Sequence, residues 1–365
     1  MTTDRKIALV DLGRSEVETF PISMDLEQRF LGGSGVATYL FCKHAPKMCD
    51  PGSADNICIV SAGYLSGTLS APLGTAVLTS KSAATGLMAR ACVDGPFAAQ
   101  MRRAGFEHLV LKGRAENETC LLIQDGCIEF KEIPGLKDNG LSEQRAMLRK
   151  ENPGIEAQLV CIQKNGDGLF FAADACLDLS KDVEGMEPDK SGVAEVLAAK
   201  NVVTLACCGT IELEVKDPEG IIAYEKKHLE NIDESLIQND PEPVIIEGPA
   251  GSVNLTEIKQ TIEQCLGLPS GTKNCTNSSE LNFQIAADRI LLNTGLALDE
   301  DELKEIAYRC IAMERIYNLG EGITSKQGQP AEDYGENEWT REAVLKKEKV
   351  FEPLRIDDLW GRLKS

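Results

Sequence analysis

"LGGSGVATYLFCKHA", residues 31–45, sets three glycines around one serine immediately ahead of an apolar run with helical spacing. Gly32, Gly33 and Gly35 permit positive φ and close approach of another backbone, and Ser34 is suited to cap the helix that carries Val36, Tyr39 and Leu40. A helix start of this kind offers free amides to an anion, often a phosphate. The alternative is a tight turn whose bare backbone lets two elements pack closely.

The surrounding chain has two textures. From Met1 to about Val215, short β-type runs recur: "KIALVDL", "NICIVSAG", "TAVLTSK", "EHLVLKG", "TCLLIQ", "CIEFKEI", "AQLVCI", "LFFAADA", "VVTLACC" and "IELEV". Helical patterns interrupt them at Gly95–Gly105 and in "LSEQRAMLRKE", where Ser142 is a candidate N-cap. From about Asp217 onward the chain reads as helical and acidic, with a Pro-rich connector "NDPEPVIIEGPAG" and helices predicted over Glu280–Asn293 and Asp299–Leu319. Beyond Gly322 it is polar, with one short helical piece near Glu338–Lys349. The expected fold class is therefore α+β, divided as 1–215 (mixed), 216–252 (helix and connector), 253–325 (helical) and 326–365 (polar tail).

The 365 residues are enough for two or three domains. Thirty-eight basic against fifty-eight acidic side chains give a net charge of −20, which argues against nucleic acid or an anionic membrane as partner. No apolar run approaches the roughly 20 residues of a membrane helix. Of thirteen cysteines, Cys58, Cys120, Cys127, Cys161, Cys207 and Cys310 sit inside apolar runs, and the opening "MTTDRKIALV" lacks a signal-peptide pattern, so the expected location is a reducing cytoplasm. The three histidines have structural explanations: His44 at a helix end, His108 in a strand, His228 in a Lys-rich turn.

Three ordered segments, "FLGGSGVATYLF" (30–41), "NICIVSAGYLSGTLSAPLGTAVLTSKSAATG" (56–86) and "RRAGFEHLVLKGRAEN" (102–117), resemble the N-terminal domain of the tungsten-containing aldehyde ferredoxin oxidoreductases. "AAKNVVTLACCG" (198–209) stands where the family has a "GSKNLKAIAVEG"-type strand, and "AYRCIAMERIYNLGEGIT" (307–324) resembles a terminal helix with a Glu-Arg-x-x-Asn core at Glu314, Arg315 and Asn318. The resemblance implies a base of two related β-sheets with flanking helices, followed by a smaller, mainly helical region. It also implies tungsten held by two molybdopterins, a nearby [4Fe–4S] cluster, and oxidation of aldehydes with electrons passed to ferredoxin.

Departures from the family pattern limit what carries over. The cluster needs a Cys-x-x-Cys-x-x-x-Cys run and a fourth cysteine, and no such run exists. Cys207 and Cys208 are adjacent on a strand and face opposite ways, so they cannot grip one cluster edge. Where the family has an arginine after "SAP", this chain reads Leu73-Gly74-Thr75; where it has "NSGG-x-FG", the chain reads "CVDGPFA" with Asp94 near the expected anion. The Gly-rich second approach becomes "EPDKSGVAEVLAAKN", keeping Gly192, Lys200 and Asn201. The helical Asp-x-x-Gly-Leu motif becomes "IEQCLGLPSG", keeping Gly267 and Leu268.

The residual pterin-cleft candidates are Gly32, Gly33, Gly35, Gly74, Lys81, Gly95, Gly192 and Gly267; Lys112 and Arg114 also match the family pattern. No catalytic or metal-ligating residue is assigned. The expected cofactor content is none, with molybdopterin carrying tungsten or molybdenum as the alternative and no [4Fe–4S] cluster. The reading is a shortened family member with an accessory, regulatory or complex-forming role. Its alternatives are a pterin-dependent oxidoreductase subunit passing electrons through a partner, and a small-molecule binder reusing the cleft. A partner chain or a second copy is the expected company.

Overall fold

The strand-like runs of the first half build two sheets that share one topology. The computed structural model describes residues 5–165, 168–173, 189–230, 245–248, 251–268 and 281–321. The first sheet comprises β1 (Lys6–Asp11), β2 (Glu16–Pro21), β3 (Cys58–Ala62), β4 (Thr75–Lys81), β5 (Met88–Asp94) and β6 (Phe106–Lys112), in the order β2-β1-β6-β3-β4-β5. The second comprises β7 (Thr119–Gln124), β8 (Cys127–Glu132), β9 (Gln158–Asn165), β10 (Gly168–Ala173) and β11 (Val202–Cys208); read from its hairpin edge, its order is β8-β7-β11-β9-β10. That sequence repeats β2-β1-β6-β3-β4. In both sheets the opening hairpin is antiparallel, the last strand runs parallel to the first (β6 to β1, β11 to β7), and it pairs antiparallel with the third.

The helices repeat as well. Helix α2 (Gly33–His44) precedes β3 as α4 (Leu141–Glu151) precedes β9, while α3 (Pro96–Arg103) and α5 (Val193–Ala199) each lead into the final strand of their sheet. Both α3 and α5 touch both sheets and fill the space between them, where Phe97, Met101, Val193 and Val196 join strand residues such as Leu109, Leu111, Leu121 and Leu205. The outer face of the second sheet is covered by α4 through Leu141 and Leu148. The outer face of the first is covered by α2, which is buried at every residue from Gly33 to Phe41. A helix without a polar face needs cover all round.

That cover comes from α1 (Met24–Phe30), α7 (Leu255–Leu266), α8 (Phe283–Thr294) and α9 (Glu300–Gly320), whose Ile258, Ile262, Ile290, Ile306 and Ile311 share one core with Val36, Leu40 and Phe41. Each helix of this cap is locally specified. Asn254, Asn282 and Asp299 cap α7, α8 and α9, Asp299 forming a reciprocal box with Glu302, and Gly267 and Gly295 end α7 and α8 in the left-handed conformation. Helix α6 (Pro218–Glu230) joins the two halves of the chain.

Some sequence expectations shift by a residue or a role. Gly32, not Ser34, is the N-cap of α2, and Gly140, not Ser142, is that of α4; both serines fall inside the first turn. "IELEV" joins no sheet, because Ile211 is held against Arg103 (N to O 2.9 Å) and the chain then meets α8 through Lys216. Strands β2 and β5 were not expected: both are sheet edges, and their exposed faces interrupt the apolar signal. A hairpin of β12 (Ile245–Gly248) and β13 (Gly251–Asn254) forms within the expected connector and leads into α7. Most of the connector, Pro269 and the tail 326–365 lie outside the described residues.

Candidate functional site

Six of the eight candidate residues meet at one junction, where the start of α2, the β3–β4 connection and the end of α7 come together. A Cβ on Gly33 would lie 2.2 Å from the carbonyl oxygen of Gln264, and one on Gly35 would lie 3.0 Å from the Cys265 sulfur. A Cβ on Gly32 would meet Tyr64, and one on Gly267 would meet Ser66 Oγ at 2.4 Å and the Gly63 Cα at 2.7 Å. Gly74 abuts the same Ser66, and its carbonyl accepts from the amide of Gly95 at 3.1 Å. The last carbonyls of α7 accept from this connection, Cys265 O from Tyr64 N and Leu266 O from Leu65 N, both at 2.9 Å. A helix end and a helix start are thus joined through bare backbone.

Lys81 and Gly192 lie elsewhere. Thr75 and Lys81 are the two ends of β4, roughly 20 Å apart at strand rise. The Lys81 ammonium is buried on the carboxylate of Glu321 at 2.5 Å, and Glu321 also accepts from the Met48 amide. Gly192 precedes α5 and packs on the β4–β5 turn, where a Cβ would lie 2.7 Å from the Ala84 amide and from Ser82 Oγ. The first amides of α5, Val193 and Ala194, both donate to Asp189 Oδ2 at 2.9 Å. A carboxylate of this chain therefore already occupies that helix start.

At the start of β4, the Thr75 hydroxyl donates to Asp94 Oδ1 at 2.5 Å. Burial raises the Asp94 carboxyl above the usual carboxylate range, and the Thr75 bond opposes that rise. Lys112 pairs with Asp11 at 3.1 Å, and Arg114 donates to the Gly52 carbonyl. Lys200 is fully buried and donates to the carbonyls of Gly113 at 2.9 Å and Ala54 at 3.3 Å; burial pushes its ammonium down to about 8. Asn201 holds the Ala115 carbonyl at 2.7 Å.

An ionic cluster under the junction was missed at the sequence level. Arg5 grips Glu107 with two bonds of 2.5 and 2.6 Å and donates to Glu27 at 2.7 Å, while its guanidinium lies 4.6 Å from the centre of the Tyr64 ring. Arg102 donates to Glu107 at 3.0 Å and to the Ser66 carbonyl at 2.6 Å. Burial would raise the Glu107 carboxyl, but Arg5 and Arg102 together hold it down at about 2. The one sequence signal was a charge inside the apolar strand "FEHLVLK". Among the described residues no group of three or more His, Cys, Asp or Glu side chains is placed to hold a metal ion. Cys207 and Cys208 face different cores, as their adjacency on β11 requires.

Residues 7–209 match the model of the aldehyde ferredoxin oxidoreductase N-terminal domain. The tungsten-containing aldehyde ferredoxin oxidoreductases of Pyrococcus furiosus and Thermococcus kodakarensis are 27% and 25% identical over 232 residues, 64% of this chain and 37% of each of theirs. The WOR-like subunit of an aliphatic sulfonate oxidoreductase from Pyrococcus furiosus is 25% identical over 149 residues, 40% of this chain and 24% of that one. Among solved structures, the active-site complex BamBC of benzoyl coenzyme A reductase, in complex with 1,5-dienoyl-CoA, shares the fold with a TM-score of 0.54 at 22% identity, covering 66% of this chain and 37% of that one. The chain thus spans little more than a third of the length of the tungsten-containing aldehyde ferredoxin oxidoreductases it matches, and through its two-sheet base, residues 7–209, it belongs to the aldehyde ferredoxin oxidoreductase family.

Proposed function

We propose that this chain is an accessory, complex-forming member of its family that does not oxidise aldehydes by itself. The Thr75–Asp94 hydrogen bond carries the reading, since it puts a hydroxyl and a carboxylate where the family resemblance expects an arginine and an anion. A pterin phosphate fits these residues poorly: it would face a carboxylate at Asp94, while α7 fills the start of α2, Asp189 fills that of α5, and Lys81 is committed to Glu321. Eleven described cysteines, all free, support a reducing cytoplasm as the place of work.

A second reading, an oxidoreductase subunit completed by a partner, is favoured by the match to a relative that is itself named a subunit. One experiment separates the two. The protein is purified without oxygen from a host supplied with tungstate and molybdate, alone and with whatever co-purifies, and assayed for tungsten, molybdenum, pterin and aldehyde-dependent viologen reduction. The accessory reading expects no metal, no pterin and no activity in the single chain. Activity confined to the complex would support the second reading, and activity of the single chain would overturn both.

A further inference from the structure

The core between α2, α7 and α9 contains a pair of thiols. Cys265, in the last turn of α7, and Cys310, in α9, are both fully buried and free. The Cys265 sulfur lies 3.5 Å from the Ser34 hydroxyl, a Cβ on Gly35 in the first turn of α2 would approach it to 3.0 Å, and the Cys310 thiol neighbours it in the same core where α9 packs on α7. Arg90 of β5 stands beside both sulfurs, held by Glu314 at 2.6 Å and Thr38 at 2.9 Å, and its Nε has no hydrogen-bond partner among the described residues. The neighbouring Cys310 thiol is the main influence lowering the Cys265 thiol from its ordinary value even though it is buried, with Ser34, Arg90 and Gly35 acting the same way.

We propose that Cys265 and Cys310 form a redox pair whose two-electron oxidation joins α7 to α9 by a disulfide across the start of α2. With hydrogen peroxide as oxidant, the Cys265 thiolate attacks one peroxide oxygen and the O–O bond breaks. The departing hydroxide takes the proton that the Cys265 thiol gave up on ionising and leaves as water, and the sulfur becomes a sulfenic acid. The Cys310 sulfur then attacks it, the S–S bond forms, and the displaced hydroxide leaves with the Cys310 proton as a second water. Two thiols are oxidised and one peroxide is reduced. Because both sulfurs are buried, reaction follows local opening of the cap and is slower than at the exposed Cys92 and Cys127.

The test uses the full chain, exposed to hydrogen peroxide for increasing times, alkylated after denaturation and mapped by peptide mass spectrometry. The expected result is a Cys265–Cys310 crosslink that appears after Cys92 and Cys127 react, persists in Cys42→Ser and is reversed by dithiothreitol. In Cys310→Ser, dimedone should instead trap Cys265 as its sulfenic acid. Recovery of both cysteines as free thiols once Cys92 and Cys127 are fully oxidised would overturn the proposal. So would pairing of Cys265 with Cys42, whose sulfur lies in the same interface against the Met313 carbonyl.

Discussion

Thr75 and Asp94 face each other in register across β4 and β5, the hydroxyl of one on the carboxylate of the other at 2.5 Å. On the proposed reading, this pair puts a hydroxyl and a carboxylate where a bound phosphate would need a cation. Replacing it by an arginine and a neutral amide, Thr75→Arg with Asp94→Asn, should create affinity for inorganic phosphate that the parent lacks. A charge-assisted contact contributes about 1.5–3 kcal/mol, so calorimetry should show phosphate binding strengthened by roughly 10- to 100-fold in the double variant. Equal, negligible binding by both proteins would mean that the site is closed for another reason.

Acid should unfold this protein early, through neighbours on β6. Burial pushes His108 down to about 4 from an ordinary 6.5, and although burial opposes it, the two arginines hold Glu107 at about 2 against an ordinary 4.5. As pH falls below 6.5 the unfolded chain protonates His108 while the folded one does not; below 4.5 the same becomes true of Glu107. Both contributions are therefore complete above pH 6.5 and are lost as pH falls through about 4 and then about 2, on the order of 3 kcal/mol each. Urea midpoints measured from pH 7.5 to pH 3 should fall monotonically. Glu107→Gln should flatten the part below pH 4.5 while costing about 3–5 kcal/mol at neutral pH, since it leaves Arg5 and Arg102 without their shared counter-charge.

The junction glycines should differ sharply from the loop glycines. A Cβ on Gly63 would lie 2.0 Å from the Gly267 Cα, backbone against backbone, whereas one on Gly126 would meet nothing within 4 Å and bear only the strain of φ +86°. Gly126→Ala should cost about 1 kcal/mol, and Gly63→Ala several times more. Hydrogen exchange should locate the damage: α7 amides lose protection in Gly63→Ala and keep it in Gly126→Ala.

Much of this architecture was legible in the chain, for identifiable reasons. Nine of the apolar runs became paired strands, most of them buried on at least one face and the edge strand β8 half-buried through Ile128 and Phe130, and the Gly95–Gly105 pattern became α3 because Phe97, Ala98 and Met101 do share its buried side. The edges β2 and β5 were not legible, since Glu16, Glu18, Arg90 and Asp94 point to solvent or to polar partners and break the alternation. At the site, the need for bare backbone after Leu31 was clear, and of the two causes open to it, an anion or a closely packed second element, the structure shows the second; what the sequence did not show was which element packs there. Gln264 and Cys265, more than two hundred residues away, fill the space that a local reading assigns to a ligand. Long-range pairs such as Arg5 with Glu107 or Lys81 with Glu321 leave no periodicity to read.

The Glu-Arg-x-x-Asn core of α9 is a clamp between the helical cap and the first sheet. Glu314 takes Arg90 at 2.6 Å, Arg315 reaches back to Glu257 of α7 at 3.0 Å, and the Asn318 carbonyl oxygen accepts the Met88 amide at 2.9 Å, satisfying a donor on the open edge of β5. One residue past the helix, Glu321 closes the row on Lys81, both side chains being almost wholly buried. Asn318→Ala should leave the Met88 amide unpaired and cost about 1–3 kcal/mol. Lys81→Met strands a buried carboxylate and should cost about 3–5 kcal/mol, most of it recovered when Glu321→Gln is added, so a double-mutant cycle should return a large favourable coupling. If Lys81 instead served a ligand from solvent, the single Lys81→Met change would leave the urea midpoint unmoved and the cycle would close near zero.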